Sequence, residues 1–296
     1  MDALPDLIEQ LAKLCPLFGN RAEAVRACVN PRVFFPLLDR LEIPYPEICW
    51  HAPKETAESF LVKQGGEGGT GVSVYRGEEI PGAYYQRRVA GKAYTLAFLA
   101  GSGQLWWYGF NTLYQTEYND RPFLFAGIIN RADLPPKVKK TVVEYAQRLS
   151  SALSLTGLQG LDFMVEGEVP KVLELNPRPG AALGLWDGAW PSGLMAAQVK
   201  LSQGEAVGGW RKLAVKGSKI VFAKEAVQIP CDFSWPRWCA DLALPGTKIP
   251  AGGPICTVGA SGATVAEVEA KLYARINWIT QALERKNDAE TSFSQP

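Results

Sequence analysis

The stretch from Gly160 to Gly180 constrains this chain more than any other. Two apolar runs, Leu161 to Val165 and Val172 to Leu175, flank a polar turn at Glu166 to Lys171, the pattern of a β-hairpin. Alternation along a strand puts Glu174 and Asn176 on one face of the second strand, and Asp162 can lie opposite them on the first. That face would carry two carboxylates and an amide oxygen, the hard ligands that suit magnesium when substrate phosphates also hold it. Arg178, two residues on, stays on the same side. The plainer reading of this face is a row of polar residues turned to water from a half-buried sheet.

Composition narrows the class. The chain has 296 residues, 47% hydrophobic and 21% charged, with room for a sizeable core and more than one subdomain. A net charge of +1 argues against nucleic acid as a partner, which would call for a basic excess. No apolar run reaches the ~18 residues of a membrane span, and the N-terminus lacks the basic and apolar regions of a signal peptide. Six cysteines lie scattered without a Cys-x-x-Cys pair, so reduced thiols and a cytoplasmic location are expected. The single histidine, His51, has no nucleophile elbow or partner motif beside it and reads as a loop or packing residue.

Further apolar patterns give helices over Asp6 to Leu14, Arg21 to Val29, Arg32 to Leu41, Pro135 to Leu155 and Val265 to Leu283. Pro16 to Asn20 reads as a short strand and turn. Strands are expected over Glu58 to Gln64, Val72 to Tyr75, Ala83 to Val89, Lys92 to Leu99, Gln104 to Glu117 and Phe123 to Ile129. Between the first two lies Gly65-Gly-Glu-Gly-Gly-Thr-Gly71. Such a loop lets backbone N–H groups approach phosphate oxygens closely, and equally describes a flexible hairpin. It lacks the Gly-Lys-Ser/Thr ending and the strand-to-helix context of a P-loop.

The string Glu174-Leu-Asn-Pro-Arg-Pro-Gly180, led by Leu161-Asp-Phe163, resembles the magnesium-binding strands of the ATP-grasp superfamily. The resemblance covers residues 19 to 201. It implies metal ligation by Asp162, Glu174 and Asn176, and a phosphate or acyl-phosphate contact by Arg178. Lys63 with Gly65, Gly66, Gly68 and Gly69 looks like the family's phosphate lid, so Lys63 and Arg178 are the residues expected to serve catalysis. Gln86 and the backbone at Arg88 and Val89 match the hinge that holds adenine. The ribose acid that often follows the hinge is not evident beside Arg87 and Arg88. Asn30 and Pro31 stand where many members have an Asp-Lys pair, leaving Arg32 as the nearest cation. The region 181 to 191 faces the acceptor substrate in relatives, which makes Trp186, Asp187 and Trp190 candidates for it.

The implied fold is α+β: two α+β subdomains clasping ATP, a small C-terminal β-rich module, and little of the usual N-terminal βα domain. The expected division is a remnant of that domain over 1–20, the ATP-grasp domain over 21–204, the β-rich module with a closing helix over 205–286, and a disordered tail over 287–296. The implied function is an ATP- and magnesium-dependent carboxylate-amine ligase working through an acylphosphate on a small amino acid or cofactor precursor. The Asn-Pro-Arg-Pro-Gly-Ala and Pro-Ile-Cys-Thr-Val strings also look like ATP-grasp proteins of one-carbon cofactor pathways, tyramine:glutamate ligase among them. The partners expected are small-molecule carboxylates and amines; either the enzyme works without the usual front domain, or a second subunit or a partner domain completes the substrate site. A carboxylase-like reaction through carboxyphosphate and a nucleotide-binding regulatory or scaffold protein are the alternatives.

Overall fold

The computed structural model describes residues 4–54, 59–66, 68–118, 121–208 and 211–293, with side chains through 285. Glu58, at the start of one expected strand, and Glu67, inside the glycine loop, lie outside the described residues, as does the chain after 293.

Three helices come first, α1 (Pro5–Ala12), α2 (Ala22–Val29) and α3 (Pro31–Arg40). Asn30 ends α2 and caps α3: its side chain accepts from the Arg32 N–H at 3.0 Å, and Pro31 takes the first helical position, where a missing N–H costs little. Residues 16–20 form a loop rather than the expected short strand. The reason is long-range. Asn20 donates to Gln159 Oε1 and to the Pro177 carbonyl, both at 2.9 Å, and accepts from the Thr156 N–H at 2.8 Å, so buried side-chain bonds fix this segment in place of a ladder.

A small antiparallel sheet follows, made of β1 (Ile48–Cys49), β2 (Phe60–Lys63), β3 (Val72–Val74) and β4 (Tyr84–Arg87) in the order β1-β4-β2-β3. The large sheet begins with the meander β5 (Ala93–Gly101), β6 (Gln104–Tyr118) and β7 (Arg121–Ile129). Helix α4 (Pro136–Leu153) then leads into the hairpin β8 (Gly157–Glu166) and β9 (Val169–Asn176), and two short helices, α5 (Leu183–Trp186) and α6 (Leu194–Ser202), follow. The remaining strands are β10 (Val215–Phe222), β11 (Val227–Gln228), β12 (Cys239–Ala240), β13 (Lys248–Ile249) and β14 (Pro254–Gly262), before α7 (Val265–Phe293). The large sheet has eight strands in the order β12-β14-β10-β7-β6-β5-β8-β9, so the residues after 205 extend the sheet that carries the hairpin, through pairs such as Gly217 with Ile129. Helix α7 continues past the expected end at Leu283. Its later residues, among them Lys286, Ala289 and Glu290, have good helix propensity, so the helix outruns its apolar stripe.

Strand alternation divides the large sheet's faces. Leu96, Phe98, Leu161, Phe163, Val172 and Leu175 pack against Val138, Val142 and Leu149 of α4. On the other face Ala97, Leu99 and Leu158 pack against α5 and α6 through Trp186, Leu194 and Ala197. This second face also bears Thr95, Gly160 and Asp162, paired Thr95 with Asp162 and Ala97 with Gly160. The architecture is therefore α+β with two sheet-based parts and a β-rich C-terminal region, as the sequence implies.

Candidate active site

The hairpin turns more tightly than the sequence suggests. Glu166 pairs with Val169, so the turn is Gly167-Glu168 alone, with Gly167 at φ +62°. The register shifts once, between Asp162 paired with Glu174 and Phe163 paired with Val172, which leaves Leu173 as a bulge. The bulge sets Asp162 directly across from Glu174 and Gly160 across from Asn176, while the apolar residues beyond it stay on the α4 face. Asn176 Nδ2 donates to Asp162 Oδ2 at 3.2 Å and to Glu174 Oε1 at 3.1 Å. Two carboxylates thus converge on one shared donor, an arrangement that suits a cation in the donor's place. Gly160 carries no side chain at this spot, and a Cβ on it would make ordinary contact with Thr95 Oγ1 at 3.4 Å and Asn176 Cβ at 3.8 Å.

The electrostatics agree. Burial first, and then repulsion by Glu174, push the Asp162 carboxyl well above the usual carboxylate range. A hydrogen bond from Thr95 and the charge of Arg178 oppose the rise. Among the described residues no group of three or more His, Cys, Asp or Glu gathers anywhere, so a cation here would have two carboxylates, an amide oxygen and its substrate's own oxygens.

The small sheet supplies the facing wall. Lys63 pairs with Tyr84 and Leu61 with Gln86, so these four side chains share one face, while Phe60, Val62, Tyr75 and Tyr85 form a core on the other. The hairpin's carboxylates act on Lys63. Its ammonium is lowered in pKa by burial, against the opposing pull of Glu174 and then Asp162. Tyr84 is raised by burial and then by the same Glu174. Gln86 is 2% exposed and its Nε2 has no hydrogen-bond partner among the described residues, which leaves an unmet amide donor on the Lys63 face there. Past the strand end, the Arg88 N–H donates to the Ser59 carbonyl at 2.9 Å and its guanidinium lies 5.6 Å from the Phe123 ring, with Val89 half-buried beside it. Arg87 is tied to Glu47 at 2.7 Å.

The glycine loop is docked rather than free. The Phe125 N–H of β7 donates to the Gly68 carbonyl at 2.9 Å, and the Gln64 N–H to the Gly71 carbonyl at 2.9 Å. Gly68 and Gly69 take φ of +60° and +83°, a region glycine enters without penalty. A Cβ on Gly69 would run into the Phe123 carbonyl oxygen, whereas one on Gly65 would meet nothing within 4 Å. Gly66 at φ +148° completes the turn.

Arg178 donates to the Pro179 carbonyl at 3.4 Å and its charge reaches Asp162, placing it at the end of the carboxylate pair. Arg32 stacks 4.5 Å over Trp50, next to Tyr84. Trp186 and Trp190 are buried in the core under α5 and α6 rather than facing a substrate, Trp186 donating from Nε1 to Asn111 Oδ1 at 2.7 Å. Asp187 accepts from the Leu194 N–H at 2.9 Å, and so caps α6. Large aromatic surface and a free helix start are better satisfied by packing here than by a ligand. His51 lies on the surface 3.3 Å from Glu79. Sequence reasoning missed Thr95 and Tyr84; only the pairing of β5 with β8 and of β4 with β2 places them, and no local motif marks either.

Residues 29–182 match the family model of the ATP-grasp domain, a span that holds the residues expected at the metal, the phosphates and adenine. The chain belongs to the ATP-grasp family. A search of curated proteins gives no match. Among solved structures, the ATP-grasp chain resembles biotin carboxylase from Campylobacter jejuni at 13% identity and a TM-score of 0.72, over 90% of this chain and 70% of that one. It resembles L-amino acid ligase from Bacillus licheniformis at 14% identity and a TM-score of 0.72, over 94% and 77%. Phosphoribosylglycinamide synthetase from Anaerococcus prevotii gives 10% identity and a TM-score of 0.69, over 94% and 79%. At such identities the likeness is one of fold. Among the described residues no helix is long and apolar enough to cross a membrane.

Proposed function

We propose that this chain is an ATP- and magnesium-dependent ligase that joins a carboxylate to an amine, acting on a small amino acid or a cofactor precursor. The observation that carries the reading is the Asp162 and Glu174 pair set opposite each other on the hairpin of the large sheet, with the charge of both acting on Lys63 of the small one. A cation under the influence of two anions on a separate sheet, with a buried Gln86 amide that has no partner among the described residues, suits a nucleotide polyphosphate with its metal.

In this reading Asp162, Glu174 and Asn176 would hold magnesium, which when bound offsets charge on the phosphates. Lys63 takes the phosphate oxygens, and Gly65, Gly66, Gly68 and Gly69 present the loop backbone to them. Gln86 Nε2 donates to adenine beside the backbone of Arg88 and Val89. Arg178 holds the substrate carboxylate against the γ-phosphorus. A carboxylate oxygen attacks that phosphorus as the bond to ADP breaks, giving an acylphosphate. An amine lone pair then attacks the acyl carbon, the carbon–oxygen bond to phosphate breaks, and the amine proton leaves to solvent. Positioning and charge do the chemistry, which needs no histidine. Cofactor biosynthesis, a cytoplasmic site of action and a second subunit beside the substrate belong to the same proposal.

The test is ADP release from magnesium-ATP by purified protein, with and without pooled amino acids and small amines, set against Glu174→Gln. Substrate-stimulated ADP that disappears in the variant is the expected result. ADP release that needs bicarbonate and no amine would replace the ligase with a carboxylase. Nucleotide binding without any stimulated release would replace it with a regulatory protein.

A further inference from the structure

The open end of the hairpin is closed by a residue from far outside it. The last rung between β8 and β9 pairs Gly160 with Asn176, and the next residue on that side is Pro177, which has no N–H to give. The carbonyl of Pro177, a buried residue, therefore stands where the ladder stops, with Asn176 before it and Arg178 after it. A buried carbonyl calls for a donor from elsewhere.

Asn20 supplies it. Its Nδ2 donates to the Pro177 carbonyl and to Gln159 Oε1, both at 2.9 Å, so the amide spans the two strands one residue past their last pair and stands in for the missing rung. Its Oδ1 accepts from the Thr156 N–H at 2.8 Å. Gln159 in turn donates to the Thr156 carbonyl at 3.1 Å and the Gly157 carbonyl at 3.3 Å, which fixes the acceptor that Asn20 uses. Both hydrogens of the Asn20 amide and its oxygen are thus committed, a set that aspartate, serine and alanine cannot reproduce. The same segment is tied down a second time by Gln198, which donates to the Phe18 carbonyl at 2.7 Å and accepts from the Leu158 N–H at 3.1 Å. Those two bonds bypass Pro177 and Gln159.

We propose that Asn20 is a positioning residue of the site: by holding the Pro177 carbonyl it sets the turn from which Asn176 and Arg178 project, and it makes that turn depend on the docking of the N-terminal segment. The assignment rests on the ligase reading above and adds to it a residue outside the span of the family model. The effect is geometric. The peptide that Asn20 holds joins Pro177 to Arg178, and Asn176, one residue earlier, is the donor shared by Asp162 and Glu174. Misplacing such groups by an ångström costs about 10²-fold in rate.

Amide hydrogen exchange, followed by NMR on the full chain without nucleotide, tests the clamp in Asn20→Ala, Asn20→Ser and Gln198→Ala. Opening the hairpin end must break the Asn20 bond in the wild type, and Asn20→Ala has no such bond to break. The protected amides among Gly160 to Asp162 and Glu174 to Asn176 should therefore exchange at least about fivefold faster in that variant. Gln198→Ala loosens the same segment elsewhere and should leave them within about twofold of wild type. Thermal melts check folding; should Asn20→Ala not fold, Asn20→Ser, which keeps a hydroxyl, decides by the same criteria. Calorimetric titration with ADP, with and without magnesium, then reads the site. The gain in ADP affinity that magnesium brings should fall at least about fivefold in Asn20→Ala and stay within about twofold in Gln198→Ala. Unchanged exchange, an equal response in Gln198→Ala, or a loosened hairpin end with the magnesium gain intact overturns the assignment and leaves the ligase reading in place. A wild type whose ADP affinity ignores magnesium, or a gain that survives Glu174→Gln, overturns the ligase reading and the assignment with it.

Discussion

Substituting Gly69 by alanine tests how the phosphate loop is held. Gly69 sits at φ +83°, where a side chain costs about 1–2 kcal/mol. Its Cβ would also run into the Phe123 carbonyl oxygen, a backbone atom that cannot swing aside. Relief requires the loop to lift from β7, which breaks the 2.9 Å bond from the Phe125 N–H to the Gly68 carbonyl, worth about 0.5–1.5 kcal/mol. That bond is lost on opening in either protein, so the variant favours the lifted loop by the strain relieved, at least about 1–2 kcal/mol. The Phe125 amide should then exchange its hydrogen at least about 5 to 30 times faster, as measured by NMR. Gly65→Ala is the control: nothing lies within 4 Å of its Cβ, so Phe125 exchange should stay at the wild-type rate. Unchanged exchange in Gly69→Ala, or equal acceleration in both variants, would refute the idea that loop and sheet are locked at this glycine.

Other expectations concern the site and its support. Glu174→Gln should remove the rise in thermal midpoint that magnesium-ADP gives the wild type, read by scanning calorimetry. Lys63→Met should lower stimulated ADP release by about 10²–10³-fold with nucleotide still bound, because a preorganised charge on the phosphates is lost; a fall under threefold would count against its role. Thr95→Val should weaken magnesium-dependent nucleotide binding while leaving the fold intact, since it frees Asp162 from its hydrogen bond. Asn111→Ala should destabilise the chain by about 1–3 kcal/mol in urea, because it strands the buried Trp186 Nε1 that now donates at 2.7 Å.

Much of the fold is legible from pattern. The hairpin, the meander of β5 to β7 and the long α4 follow from periods of two and 3.6 in their apolar residues, and each element lies within a few residues of its expected span. Where the reading fails, a distant partner decides. Pro16 to Asn20 looks like a strand, yet Asn20 is held by residues 136 to 157 positions away. Trp186 and Trp190 look like a ligand wall, yet α5 and α6 turn them into the core.

What the sequence determined by itself is the identity and spacing of the groups: Asp162, Glu174 and Asn176 on one hairpin, and Lys63 running into a glycine loop. Side-chain period is a local property, so one strand settles which face its acids take. Tertiary structure alone decided the rest. The bulge at Leu173 brought Asp162 across from Glu174, the arrangement of the two sheets put Lys63 under the influence of that pair, and Asn20 found its partners on Thr156, Gln159 and Pro177. None of these can be read from periodicity, because each depends on a partner far away in sequence whose position is fixed only once the two sheets and their helices have packed.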